Sequence, residues 1–244
     1  MNKQSAAYYE INNNIAEVYL NRPEQINAFN VQMRDDLYDI FSAIHVDTNL
    51  KGVIIFGNGN RGFCSGADLT EFGTTPSRVI AREARYLRDV WSLIRSLNIP
   101  TLSALHGFTI GSGLEMALCC DTRIAALNTE FKLPEVALAM LPFATGSQTL
   151  PRTIGRSRAL ELLLTSRWFS ATEALNIGIV NKIVENQDLR TESFSELNKI
   201  LEQPTGATIL ARKAIKRGAD TTLMNGLKIE KNLAQSHFLA ILNE

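Results

Sequence analysis

The sequence predicts an α/β fold in which a mainly parallel β-sheet is covered by helices. Short apolar segments bounded by Asn, Gly and Arg-Pro, which are typical of buried strands, alternate along the chain with segments of helical periodicity. Such alternation is typical of parallel sheets, whose ligands usually lie in loops at the carboxyl ends of the strands. With 244 residues, of which 45% are hydrophobic and 20% charged, the chain is large and apolar enough to bury one sizeable core.

The first half of the chain is expected to begin with a strand, a helix and a second strand. Residues 17–21 and 52–57 suit the two strands, and the apolar residues between them recur at helical spacing after Asn30, a favourable N-cap. Four elements are expected next: a helix over 78–97, a strand over 101–105, a helix over 114–120 and a strand over 123–126.

The second half of the chain is expected to end in helices. Ser170 and Glu173 form the capping-box pattern that begins a helix over 171–177, and a strand over 179–184 follows. The remaining helical patterns cover 189–203, 207–218 and 222–242. We therefore predict an α/β core over 1–188 and a helical region over 189–244.

Composition argues against several functional classes. The 25 Lys and Arg residues balance the 25 Asp and Glu residues, so no net field attracts the chain to nucleic acid. The apolar stretches are far shorter than the ~20 residues that cross a bilayer, so no membrane association is expected. Residues 1–14 contain no apolar segment typical of a secretory signal, and the expected location is the cytoplasm. The three cysteines and three histidines are not spaced as metal ligands, so no metal site is predicted.

Two familiar motifs match only in part. The segment GNGNRG at 57–62 fits GxGxxG, but neither a helix-opening pattern nor an acidic residue for a ribose follows it, which disfavours a dinucleotide site. The segment GSG at 111–113 lacks the outer residue of the GxSxG elbow, which disfavours a serine hydrolase.

Two other glycine-containing segments suggest a pair of backbone donors. CSGADL at 64–69 follows a predicted strand with a tight turn, and GSGLE at 111–115 follows another and opens a helix. The first amides of a helix have no internal acceptor and carry the positive end of its dipole. Two such donors aimed at one oxygen would form an oxyanion hole.

Two carboxylates accompany these segments. Glu115 lies in the first turn of the predicted helix, and Glu135 follows Pro134 among apolar residues. One interpretation is structural, with Glu115 complementing the helix dipole and Glu135 capping a turn. The other is catalytic, because two buried carboxylates that share a site cannot both ionise easily, so that an acid and a base coexist.

Six segments in the same order make the chain resemble the crotonase superfamily, the enoyl-CoA hydratase/isomerase proteins. They are LNRPEQINA at 20–28, FCSGADL at 63–69, HGFTIGSGLEMALCCD at 106–121, FKLPEV at 131–136, LPRTIG at 150–155 and ATEALNIGIVNKI at 171–183. The resemblance implies a spiral of ββα units with a helical C-terminal region that mediates trimers, often paired into hexamers. It also implies an acyl-CoA thioester substrate and no separate cofactor, since CoA is part of the substrate.

The resemblance assigns roles to particular residues. The backbone amides of Ala67 and Ser112 are expected to hold the thioester oxygen, with Glu115 and Glu135 as the acid and base. The expected substrate contacts are Gln25, Ala28, Gly66, Asp68, Leu69, Thr70, Gly111, Pro142, Phe143 and Lys213.

The resemblance implies a hydratase, with the other reactions of the family as alternatives. Both glutamates favour addition of water to a 2-enoyl-CoA, and the alternatives are double-bond isomerisation, another acyl-CoA lyase reaction, or a non-catalytic acyl-CoA-binding or scaffold subunit. The segment LPFATGSQT at 141–149 departs from the family pattern Pro-Gly-x-Gly-Gly-Thr-Gln-Arg. Phe143 replaces the glycine that helps to place the water in hydratases, so an unusual acyl pocket is expected.

Overall fold

The strands of the molecule form two sheets. The computed structural model describes residues 5–74, 77, 80 and 87–242, with only the backbone for 237 and 239–242. One sheet has six strands in the order β1 (Ala7–Asn12), β2 (Ile15–Leu20), β3 (Gly52–Gly57), β4 (Thr101–Leu105), β6 (Thr122–Ala126) and β9 (Lys182–Val184). The other contains β5 (Phe108–Ile110), β7 (Glu130–Lys132) and β8 (Phe169–Ser170).

The six-stranded sheet is parallel apart from its first strand, as predicted. β1 pairs with β2 as an antiparallel hairpin whose two turn residues, Asn13 and Asn14, have φ of 49° and 65°. Positive φ at both positions is the requirement of a type I′ turn, in which Asn is favoured. The sequence pattern did not predict β1, because its residues AYYEIN do not alternate regularly between apolar and polar.

The helices agree with most of the expected segments. They are α1 (Val31–Val46), α2 (Val90–Ser96), α3 (Ser112–Cys119), α4 (Gly146–Ile154), α5 (Arg156–Thr165), α6 (Ala171–Asn176), α7 (Leu189–Leu201), α8 (Thr205–Ala219) and α9 (Leu223–Leu242). Asn30 caps α1, since its side chain accepts a hydrogen bond from the Met33 amide at 2.9 Å. Of the helix expected over 78–97, α2 is observed, and residues 78, 79 and 81–86 lie outside the described ones. α4 and α5 were not predicted.

From β4 to β7, the strands belong alternately to the two sheets. β4 lies in the six-stranded sheet and β5 in the three-stranded one, and α3 follows them. β6 and β7 repeat this pair, with β6 parallel to β4 and β7 parallel to β5. The segment after β3 joins the layer of β5 through bridges of Gly62 with Gly107 and of Cys64 with Thr109. The chain therefore forms the expected spiral of ββα units.

Alternating residues of β3 separate two apolar clusters. Val53 and Ile55 pack with α1, α2 and α3, whereas Ile54 and Phe56 pack with Leu197 of α7. Since successive strand residues point to opposite faces, helices cover the sheet on both sides. α7 begins at the boundary that the sequence suggested for the helical region, yet it packs directly on the sheet.

The last two helices are mostly exposed and pack against each other. α8 contains no buried residue. Its Arg212 and Lys216 form ion pairs with Asp121 at 2.6 Å and 3.0 Å, so charged contacts help to attach α8 to the core.

Within the described ranges, no helix has the length and apolar character that a membrane span requires.

Candidate active site

Two loops that carry the candidate donors leave the same layer of the spiral. The amide of Cys64 donates to Phe108 O at 3.1 Å, and Cys64 forms a parallel bridge with Thr109. Ala67 lies three residues beyond Cys64, and Ser112 lies three residues beyond Thr109. The two loops stay close beyond this bridge, since a Cβ on Gly66 would lie 3.9 Å from Gly111 Cα, and the amides of Ala67 and Ser112 follow these two glycines. An oxyanion hole requires such a pair of donors.

A glycine with positive φ precedes each donor amide. Gly66 has φ of 96° and Gly111 has φ of 49°, conformations that are costly for residues with a Cβ. A Cβ on Gly66 would lie 3.2 Å from Ile110 O, and one on Gly111 would lie 2.6 Å from Glu135 Oε1. Glycine is therefore favoured at Gly111 by its positive φ, and a side chain there would displace the Glu135 carboxylate.

Both donor amides are available to a ligand. In the described part of the chain, the amides of Ala67 and Ser112 have no hydrogen-bond acceptor. Ser112 is the first residue of α3, so its amide cannot find an acceptor within the helix and lies at the positive end of the helix dipole. Both features favour an anionic oxygen at this point.

Glu115 is held at the N-terminus of a second helix. Its side chain is buried, with the residue 1% exposed, and Oε1 accepts a hydrogen bond from the Gly146 amide at 2.7 Å. Gly146 is the first residue of α4, whose dipole stabilises a carboxylate there. A Cβ on Gly146 would lie 2.6 Å from Glu115 Oε1, so this contact depends on glycine.

Glu135 reaches the cavity from a short 3-10 turn. It precedes Val136–Leu138 and is 8% exposed. Its backbone carbonyl accepts hydrogen bonds from the amides of Leu138 and Met140 at 3.1 Å and 2.8 Å, which fix the turn. Its Oε1 lies over Gly111, the glycine that precedes the Ser112 donor. The second carboxylate is thus adjacent to the predicted oxyanion hole.

A single cavity of about 90 Å³ brings these groups together. The predicted residues that line it are Gly66, Ala67, Leu69, Gly111, Ser112, Glu115, Glu135 and Phe143. Its remaining wall is largely apolar and includes Phe72, Leu138, Met140 and Leu141, which the sequence analysis did not single out. Phe143 is 47% exposed, so its ring occupies the boundary between the cavity and solvent.

Six other predicted contacts are not among the residues that line this cavity. They are Gln25, Ala28, Asp68, Thr70, Pro142 and Lys213. The carboxylate of Asp68 forms an ion pair with Arg22 at 2.8 Å and accepts hydrogen bonds from Thr70. Lys213 belongs to α8, which packs elsewhere on the core. The contacts of these residues with CoA stay predictions.

Glu115 and Glu135 are the carboxylates of the described cavity wall, and two other titratable groups near it stay neutral. Burial raises the pKa of the Cys64 thiol to about 12, so it remains protonated at neutral pH. Burial lowers the pKa of His106, whose Nε2 contacts Gly59 O at 3.0 Å outside the cavity. The two carboxylates are therefore the candidates for proton transfer in the cavity.

The chain is similar to known proteins along most of its length. The family model described as enoyl-CoA hydratase/isomerase matches residues 10–240. The chain is 40% identical over 217 residues to "Probable enoyl-CoA hydratase 2, mitochondrial" of Arabidopsis thaliana, which covers 89% of this chain and 72% of the relative. It is 37% identical over 217 residues to the crotonyl-CoA hydratase of Syntrophomonas wolfei subsp. wolfei, covering 88% and 83% of the two chains.

Solved structures have the same fold. The crystal structure of an enoyl-CoA hydratase from Bacillus anthracis matches with a TM-score of 0.89 and 33% sequence identity, over 94% of this chain and 90% of that one. The match covers the spiral core and the C-terminal helices together. The chain is therefore an enzyme of the enoyl-CoA hydratase/isomerase family, within the crotonase superfamily.

Proposed function

We propose that the protein catalyses the reversible hydration of a 2-enoyl-CoA thioester. The observation that supports this reaction most directly is the meeting of two backbone donors and two carboxylates in one cavity. The names of its relatives also support it, since those compared above are hydratases.

The four groups divide the chemistry between them. The water oxygen bonds to C3 of the enoyl group, and the electron pair of the C2=C3 bond moves toward the thioester oxygen to give an enolate. The amides of Ala67 and Ser112 stabilise this oxygen, each by about 2.7 to 4 kcal/mol of the barrier. One of Glu115 and Glu135 accepts the proton that the water loses, while the other delivers a proton to C2, and each transfer contributes roughly 10² to 10⁴ in rate.

Incubation with a short 2-enoyl-CoA in ¹⁸O-labelled water tests this reaction. We expect a 3-hydroxyacyl-CoA product that carries the label on C3, detected by mass spectrometry. A panel of enoyl-CoA esters of different chain lengths in which no product acquires the label would contradict hydration.

Double-bond isomerisation is the second candidate, and Phe143 favours it. The resemblance to the family implies that the ring stands in place of a glycine that helps to position the water in hydratases, and Phe143 lines the cavity. Isomerisation moves the double bond without adding an oxygen. Its product would therefore keep the substrate's mass in ¹⁸O-water and gain deuterium in heavy water.

We also propose that the protein assembles as a homotrimer or a pair of trimers. Several large apolar residues of α8 and α9 are exposed in the single chain: Ile215, Leu223, Met224, Leu227 and Phe238. An apolar surface of this kind is typical of a buried contact between subunits.

A further inference from the structure

We propose that Arg22 and Asp68 are positioning residues for the reaction, because their ion pair holds the Ala67 amide in the orientation that an oxyanion requires. This inference rests on the proposed oxyanion hole. It assigns Asp68 a role through Ala67 instead of the direct contact with CoA that the sequence predicts.

The orientation of the Ala67 amide depends on hydrogen bonds to Phe29. The Gly66 carbonyl, which shares a peptide plane with the Ala67 N–H, accepts from the Phe29 amide at 2.8 Å. The next peptide donates from the Asp68 amide to Phe29 O at 2.9 Å. Since the N–H and C=O of a trans peptide point in opposite directions, the Ala67 N–H points away from Phe29 and is left for a ligand.

The Asp68 side chain ties this pairing to the neighbouring loop. One carboxylate oxygen pairs with Arg22 Nη1 at 2.8 Å, and the same Nη1 donates to Ala28 O at 2.6 Å. Phe29 and Ala67 form a parallel bridge. Ala28 comes just before Phe29, and Asp68 comes just after Ala67. Because Arg22 contacts both Ala28 and Asp68, it links the two segments where they meet. The side chains of Arg22 and Asp68 are 19% and 10% exposed, so solvent screens this pair less than a surface pair.

Arg22 is itself anchored by a buried asparagine. The Arg22 amide donates to Asn27 Oδ1 at 2.9 Å, and Asn27 Nδ2 donates to Asn58 O and Gly62 O at 2.9 Å and 3.0 Å. Asn27 is fully buried and has φ of 54°. These bonds connect Arg22 to residues 58–62, which precede Cys64 and Ala67 in the chain. One network of hydrogen bonds therefore contacts the chain on both sides of Ala67, through residues 58–62 before it and through Asp68 after it.

The test compares two CoA ligands, of which one carries the thioester carbonyl oxygen and the other lacks it. Asp68→Asn removes the charge but keeps the shape, and Arg22→Lys keeps the charge but loses the planar guanidinium. Asp39→Asn is the matched control, because Asp39 pairs with Arg88 on an exposed surface away from the cavity. For each variant we would measure kcat and KM, and the affinities for a CoA thioester and for the corresponding CoA thioether, which lacks the carbonyl oxygen.

We expect Asp68→Asn and Arg22→Lys to lower kcat by about 10- to 100-fold, the effect of a small misplacement at a reacting centre. Thioester affinity should fall while thioether affinity stays at the wild-type value. Equal loss for both ligands, or kcat values equal to that of Asp39→Asn, would overturn the positioning role. A failure of the proposed function is distinguishable, since the wild-type protein would then bind both ligands alike or turn over no enoyl-CoA. If Asp68→Asn does not fold, the comparison of Arg22→Lys with the control decides.

Discussion

Glu115 and Glu135 line the same cavity but are held by different contacts. Glu115 accepts from the first amide of α4, whereas Glu135 lies over Gly111 at the end of a short turn. A Glu115 that only complemented the dipole of its own helix would not need the contact with α4. A Glu135 that only capped a turn would not need to lie over Gly111. At the scale of residues, substitutions of the carboxylates and of the glycine that contacts Glu115 therefore test the site.

Replacing either carboxylate should remove turnover and spare binding. Glu135→Gln is expected to lower kcat by roughly 10² to 10⁴, because the amide cannot exchange the proton, while affinity for a CoA ester is retained. Steady-state kinetics and calorimetric titration would measure the two effects. Glu10→Gln, at an exposed position of strand β1, is the control. An unchanged kcat for Glu135→Gln would contradict its assigned role.

A single methyl group should displace Glu115. In Gly146→Ala the new Cβ would lie 2.6 Å from Glu115 Oε1, so the carboxylate must move. We expect a fall in kcat of about 100-fold, since a displacement near 1 Å can cost this much. Gly218→Ala, on α8, is the control and should retain wild-type activity, because its new Cβ would lie at an ordinary contact distance of 3.9 Å from Gly226 Cα. Similar activity in both variants would show that Gly146 does not position Glu115.

At the scale of elements, α8 is attached to the core through a charged cluster. Asp121 accepts hydrogen bonds from the Thr101 amide at 2.8 Å and from Arg212 Nε at 2.8 Å, and pairs with Lys216. Burial alone would raise the pKa of Asp121, but Lys216 and Arg212 outweigh it and hold the pKa below its usual range. The attachment therefore depends on the ionised carboxylate.

Acid should loosen α8 before it unfolds the sheet. A carboxyl whose pKa is lowered by folding contributes stability above its ordinary value of 3.8 and loses it as the pH falls through the lowered value. Hydrogen exchange of the α8 amides should thus accelerate as the pH drops below about 3.8, relative to β4, after correction for intrinsic rates. In Asp121→Asn the excess exchange of α8 should already be present at neutral pH. Exchange of α8 that stays slow in this variant would rule out the charged attachment.

At the scale of the whole molecule, the exposed apolar residues of α9 predict self-association. We expect light scattering to give about three or six times the chain mass of 27.1 kDa. Leu223→Glu places a charge on a residue that is 79% exposed in the single chain and should shift the assembly to smaller species. Val46→Glu, at the end of α1, is the control. A monomeric wild-type protein would contradict the proposed assembly.

Local signals in the sequence predicted much of the fold. The span of β3, the Asn30 cap of α1 and the Ser170 cap of α6 all appear as expected, because each depends on residues a few positions apart. The tight turn expected at residues 64–69 depends in the same way on Gly66, whose φ of 96° is a property of the backbone at one residue.

Contacts between distant segments were not predictable in this way. Glu115 and Gly146 are 31 positions apart, and Arg22 and Asp68 are 46 apart, yet each pair meets within 2.8 Å. Periodicity and capping report on conformation over a turn or a strand, whereas these contacts depend on the register of one spiral turn against the next. The residue types and backbone conformations of the site are thus local properties, but which atoms face each other across the cavity follows from how the ββα units stack.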